Sequence, residues 1–192
     1  MTKIGILAPN NSAQIVNALV MIFKSDRKVV AVKKNNPKTE YELNFLEKNG
    51  IKYALIIFNE KKIYPVELDV LILDNEQNSK LVSYDLVECM SEKTILIYNT
   101  DNGFLPHINH PNAIDYGYNP TSSVTISSVN HRENSISFIV SIQREICGMF
   151  DIILPIGEIL INSKYKAELC NLLSAVICSL VCGIINYAEI KI

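Results

Sequence analysis

Two stretches constrain this chain more than any others: KYALIIF, residues 52–58, and LDVLILD, residues 68–74. Each is a short, nearly unbroken apolar run bounded by polar turn residues. Such a run is too short for an ordinary buried helix and, as a strand, is apolar on both faces. Strands buried on both faces belong to parallel sheets covered by helices on either side. Parallel neighbours need crossover connections, and the flanking sequence supplies them. KIGILA, residues 3–8, is a further strand. After it Ile15, Ala18, Leu19 and Ile22 recur at helical spacing, with Asn11 or Ser12 able to cap the helix start. KVVAVKK, residues 28–34, follows as a strand, which completes a strand–helix–strand unit.

Thr39 and Glu42 have capping-box spacing, so a short helix is expected over residues 40–48, ended by Asn49-Gly50. A helix over residues 79–90 and a strand over residues 94–99 continue the alternation. Beyond residue 100 the pattern changes. TDNGFLPHINHPN is an irregular loop. Ile136, Phe138, Val140 and Ile142 then point one way, with Ser137 and Ser141 between them, and SSVTISSV, FDIILP and EILI add short strands. The expected fold class is α/β: a mostly parallel sheet with flanking helices over residues 1–100, and a small antiparallel meander over residues 115–162. An apolar helix over residues 164–183 closes it. The whole of 1–192 is read as one domain.

The chain has 192 residues, 48% hydrophobic, with 20% charged and a net charge of −2. That balance gives no electrostatic reason to bind nucleic acid or an anionic membrane surface. The run LCNLLSAVICSLVCGII approaches spanning length, but its asparagine, serines and cysteines favour a buried helix in a soluble core. No signal peptide is expected ahead of the first strand. The five cysteines include no CxxC and read as free thiols in a reducing cytoplasm. His107-Ile108-Asn109-His110 has a ligand-like gap, yet it lies in a proline-flanked loop without a further acidic or thiol ligand, so a solvated loop is favoured over a metal site.

The turn after the first strand sits where a phosphate-binding protein carries its glycine-rich loop. A phosphate cradle uses glycines to curl backbone amides around oxygens, a lysine to neutralise charge, and a hydroxyl to help hold Mg²⁺. This turn, Ala8-Pro9-Asn10-Asn11-Ser12-Ala13, has none of the glycines and no lysine.

The order of elements and several motifs resemble the central domain of the Mur ligase family, which includes folylpolyglutamate synthetase. The family's G-[IV]-T-G-T-N-G-K-[TS] is matched by Gly5 through Ala13. Gly5 and Asn10 agree, the loop glycines are Ala8 and Asn11, and the lysine and hydroxyl positions hold Ser12 and Ala13. DVLILD places Asp74 where the family has an acidic residue of the Mg²⁺ site. Asn99-Thr100-Asp101-Asn102 matches N-x-D-[DN], which lies near the nucleotide base in that family. Tyr116-Gly117 matches a YG before antiparallel strands. Asn171 and Ala175 match part of the helix motif G-x-H-N-x-x-N-x-x-A-A, and the closing CGI matches LGI.

The resemblance implies a nucleotide site at Asn10, Asn11, Ser12, Asn99, Asp101 and Asn171, with Asp74 as a vestigial metal ligand. No catalytic residue is assigned. The segment between Asp74 and Ile95 is too short to assign the family's carbamylated lysine. The family's flanking substrate and amino-acid domains have no counterpart in these residues. Losing the lysine, the hydroxyl and the loop geometry removes about 4–8 kcal/mol of triphosphate binding. Micromolar affinity corresponds to about 8 kcal/mol. The leading expectation is therefore a non-catalytic binding or assembly module, without cofactor, working with a protein partner or a second copy of itself. The alternatives are an ATP- and Mg-dependent acid–amino-acid ligase or ligase subunit, and a binder of small metabolites. The resemblance also implies a peptidoglycan-related setting in the cytoplasm.

Overall fold

The computed structural model describes residues 1–25, 28–59, 61–74, 84–101, 110–165, 167–184 and 189–191. Its elements are β1 (Thr2–Leu7), α1 (Ser12–Ser25), β2 (Val30–Lys34), α2 (Thr39–Lys48), β3 (Tyr53–Ile57), β4 (Val70–Leu73), α3 (Tyr84–Val87) and β5 (Ile95–Asn99). There follow β6 (Ala113–Gly117), β7 (Val124–Arg132), β8 (Ser135–Ile142), β9 (Ile146–Cys147), β10 (Ile153–Leu154), β11 (Gly157–Ser163), α4 (Leu169–Val181) and β12 (Glu189–Lys191). Ten strands form one sheet in the order β12-β11-β8-β7-β6-β5-β4-β1-β3-β2, and β9 pairs with β10 apart from it. Every pair from β2 to β7 is parallel. Among the described strands of this sheet, β7–β8 and β8–β11 are antiparallel and β11–β12 is parallel.

The apolar runs are buried on both faces, as their composition requires. Ile4, Ile6, Leu55, Val70, Ile72, Ile95 and Ile97 point into a large core under α1 and α4. Their neighbours Leu7, Ala54, Ile56, Leu71, Leu73 and Leu96 point into a smaller core with Leu43, Leu68, Leu86 and Cys89. Gly5 permits this second face to close, because a Cβ there would lie 2.6 Å from Leu68 Cδ1 and 2.8 Å from Phe58 Cε2. The α4 helix is buried on all sides from Asn171 to Val181. Among the described residues no helix is long and apolar enough to cross a membrane.

The structure departs from the sequence reading in four places. The meander is continuous with the main sheet, because β6 joins β5 to β7 by parallel pairing. That strand, behind Pro111, is only five residues long, and its alternating Ile114 and Tyr116 are too short a signal to announce it. Asp115 strengthens the joint: it accepts from the Ser123 hydroxyl, from the Ser123 N–H at 3.2 Å and from Arg144 Nη2 at 2.7 Å. The capping box at Thr39 does not form. Thr39 is already helical, and its hydroxyl accepts from the Asn36 N–H at 2.7 Å. The closing helix begins at Leu169, five residues later than expected. The expected helix over residues 79–90 is described only from residue 84, where α3 has four residues; 79–83 lie outside the described residues.

Candidate functional site

The order β4-β1-β3 makes the carboxyl ends of β1 and β4 a switch point, where the chain turns from building one half of the sheet to the other. Open α/β sheets bind ligands in the crevice outside such a point. Here β1 runs into a tight turn. The N–H groups of Asn11 and Ser12 both reach the Ala8 carbonyl, at 3.1 and 2.8 Å, and α1 starts at once. Asn10 is exposed on this turn. The Asn11 side chain does not cap the helix. Its Nδ2 donates to Asp74 Oδ2 at 3.1 Å, just past the end of β4.

Asp74 is 2% exposed, and its other oxygen, Oδ1, accepts from Asn99 Nδ2 at 3.0 Å. Asn99 ends β5, and its Oδ1 accepts from the Asp101 N–H at 2.9 Å. The Asp101 carboxylate in turn receives the Tyr118 N–H, at 2.9 and 2.8 Å to its two oxygens. It does so across Gly117, where a Cβ would lie 2.5 Å from Asp101 Oδ1. Cys170 Sγ lies 3.8 Å from Asp101 Oδ2. Burial, then the Asp101 charge, pushes the Cys170 thiol up to about 12. Tyr118 is likewise pushed up to about 12, by burial and then by Cys170. Both groups are neutral near pH 7.

Asn171 is fully buried on α4 and bonds to Gln14 of α1. Gln14 Oε1 accepts from Asn171 Nδ2 at 3.1 Å and from the Glu168 N–H at 3.0 Å. Two buried polar atoms beside this network have no hydrogen-bond partner among the described residues: Asn171 Oδ1 and the Tyr116 hydroxyl. The Ser174 hydroxyl, which also acts on the Tyr116 phenol, donates to the Asn171 carbonyl at 3.0 Å. Burial first, and the Asp74 charge second, raise the Tyr116 phenol well above its ordinary value.

The fold thus brings Asn11, Asp74, Asn99 and Asp101 into one hydrogen-bonded chain, while Asn171 bonds to Gln14 beside it. Asn102 lies outside the described residues. Ser12 parts from the group. It lines a cavity of about 490 Å³ on the β3 side of β1, with Pro9, Lys34, Asn35, Ile57, Phe58, Asn59 and Lys61. Sequence reasoning found nothing positive near Ser12, because Lys34 and Lys61 are 22 and 49 positions away. It also missed Gln14, whose only signal is a polar residue one turn into an apolar helix.

The histidine pair is half described. His110 uses both ring nitrogens locally: Nε2 lies 2.9 Å from the Ser91 carbonyl, and Nδ1 accepts the Asn112 N–H at 3.3 Å. His107 lies outside the described residues. Among the described residues, no three of His, Cys, Asp and Glu cluster closely enough to hold a metal ion. All five cysteines are free, with Cys178 held protonated chiefly by its hydrogen bond to Cys182 and by burial.

These elements define an α/β fold of the Mur ligase type. Crystal structures of MurF from Acinetobacter baumannii and of MurF ligase from Thermotoga maritima in complex with ADP superimpose on it. Their TM-scores are 0.58 and 0.57, at 11% and 17% identity, each over 95% of this chain. A mutant of L. casei FPGS aligns with a TM-score of 0.55 at 9% identity over 94% of this chain. The chain spans 43%, 45% and 58% of the three proteins respectively. No family model matches the sequence, and no curated protein matches it.

Proposed function

We propose that this domain is a non-catalytic binding or assembly module, built on a Mur ligase-like fold in which the metal–triphosphate corner has been closed. One observation carries the reading: both carboxylate oxygens of Asp74 accept buried side-chain amides, from Asn11 and from Asn99. Mg²⁺ demands near-ideal octahedral geometry at about 2.0–2.1 Å. Each carboxylate oxygen has a second acceptor site, but Asp74 is only 2% exposed, so Mg²⁺ reaches it only by shedding its water or by displacing an amide, whose donor would then lack an acceptor at about 1–3 kcal/mol. The turn adds to this. Pro9 has no N–H, and the N–H groups of Asn11 and Ser12 are spent on Ala8. The described residues do not fit Mg-ATP, so no phosphoryl-transfer step is derived.

A module of this kind works through a protein partner or a second copy of the chain. Calorimetric titration with Mg-ATP tests the reading. The expected result is no binding in the micromolar range; micromolar binding with turnover overturns it. The competing reading is an ATP-dependent ligase or ligase subunit. It is favoured by the meeting of Asp74, Asn99 and Asp101 at one corner, and it predicts turnover in the same titration.

A further inference from the structure

We propose that the cavity on the β3 side of β1 is a metal-free binding site for a small phosphate monoester, held between Lys34 and Lys61. The proposal deepens the binding-module reading, on which it rests, by naming a ligand class. Three observations carry it. The first is charge. Two lysines line the cavity, and among the described residues no carboxylate does, in a chain whose net charge is −2. Neither lysine forms an ion pair among the described residues, whereas the adjacent Lys33 is engaged by Glu42 at 3.1 Å. Two ammonium groups match the double charge of a phosphate monoester. Lysine serves phosphate as a compact point charge.

The second is that the walls are built rather than loose. Asn35 joins the loop after β2 to the loop after β3. Its Nδ2 donates to the Tyr64 carbonyl at 2.9 Å, and its Oδ1 accepts the Tyr64 N–H at 2.7 Å. The Asn35 N–H reaches the Ile57 carbonyl at 2.9 Å. The Lys61 N–H is held by Asn59 Oδ1 at 2.9 Å. The backbones that carry both lysines are therefore tied down, and only the ammonium-bearing stems need to be ordered on binding.

The third is size and lining. About 490 Å³ falls within the range of small-molecule sites. Pro9, Ile57 and Phe58 offer an apolar wall for an organic body, and Ser12 offers a hydroxyl. Ser12 also opens α1, whose amino end adds a modest field of the right sign. Among the described residues lining this cavity there is no carboxylate, histidine or thiol; Asp74 and Asn99 lie on the β4 side of β1.

Phenyl phosphate is the probe, with benzoate as a singly charged control, in about 50 mM salt. Amide shifts followed by NMR should move at Ser12, Asn35 and Asn59, with a Kd at or below about 1 mM. Benzoate should bind more weakly. The double variant Lys34→Gln/Lys61→Gln should weaken phenyl phosphate about tenfold or more, because two charge-assisted contacts are lost. Both lysines are exposed, so the variant should keep the wild-type melting curve, which circular dichroism checks. No binding up to about 10 mM, shifts confined to other residues, or equal binding by the double variant would overturn the site. The two readings fail separately: Mg-ATP turnover refutes the non-catalytic reading, and absence of phenyl phosphate binding refutes this one.

Discussion

Replacing Asp74 by Asn tests the buried corner most directly. Asp74→Asn keeps the shape and removes the charge. In the wild type, among the described residues, Oδ1 accepts an amide from Asn99 at 3.0 Å and Oδ2 one from Asn11 at 3.1 Å. The variant has one oxygen and one NH₂ in their place. One partner amide then faces a donor. The loss is one hydrogen bond to a charged group, about 1.5–3 kcal/mol, plus a buried donor left without an acceptor, about 1–3 kcal/mol. Relief of the buried charge returns part of this, so a net loss of about 2–4 kcal/mol is expected. For a chain of this size that is a fall in Tm of roughly 4–16 °C. Urea unfolding followed by circular dichroism measures it, with Asp74→Asn/Asn99→Asp as the rescue. The swap restores one carboxylate facing one amide and should recover about half the loss. Mg²⁺ should leave the wild-type Tm unchanged. A single variant within about 0.5 kcal/mol of wild type would refute the argument, and so would a Mg²⁺-dependent stabilisation that Asp74→Asn abolishes.

Three further outcomes follow from the same corner. Tyr116→Phe removes a buried hydroxyl that has no partner among the described residues. It should be neutral or stabilising by up to about 1 kcal/mol in urea unfolding, and a loss above about 1 kcal/mol would mean that the hydroxyl is engaged. Gly117→Ala drives a Cβ against Asp101 Oδ1 at 2.5 Å and should displace the carboxylate from the Tyr118 N–H. A cost of about 1–2 kcal/mol is expected, and faster hydrogen exchange at Tyr118 locates it. The third outcome concerns pH. The Cys170 thiol is raised from 9.0 to about 12 in the folded chain, so between those values the unfolded chain has lost a proton that the folded chain keeps. Stability must therefore fall as pH rises from about 9 to about 12, and Cys170→Ser should flatten that decline in pH-dependent unfolding. Tyr118, also raised to about 12, adds to the decline in the upper part of the window and should leave a residual slope. An unchanged slope in Cys170→Ser would show that Cys170 ionises normally.

Much of the architecture is legible in the sequence because it depends on local pattern. The apolar runs at 52–58 and 68–74 had to be strands covered on both faces, and β3 and β4 are. The alternation of Ile136, Phe138, Val140 and Ile142 had to place one face inward, and all four are buried. The turn at Ala8–Ala13 had to lack the glycine and lysine chemistry of a phosphate loop, because those side chains are absent from it. β6 was not legible. Its five residues hold only one apolar repeat, Ile114 and Tyr116, and become a strand by pairing between β5 and β7.

Tertiary structure alone decided how the polar residues are used. Asn11 satisfies the signal for a helix cap, yet its amide meets Asp74, 63 residues away, because β1 and β4 end side by side. Gln14 looks like an exposed helix residue until α4 brings Asn171 and the Glu168 N–H against it. Lys34 and Lys61 are separate charges along the chain and share one cavity only because β2 and β3 are paired and Asn35 ties their loops together. Burial is a property of periodicity over a few residues, so the sequence carries it. A hydrogen bond or a shared cavity depends on which strand ends become neighbours, and that is settled only when the sheet assembles.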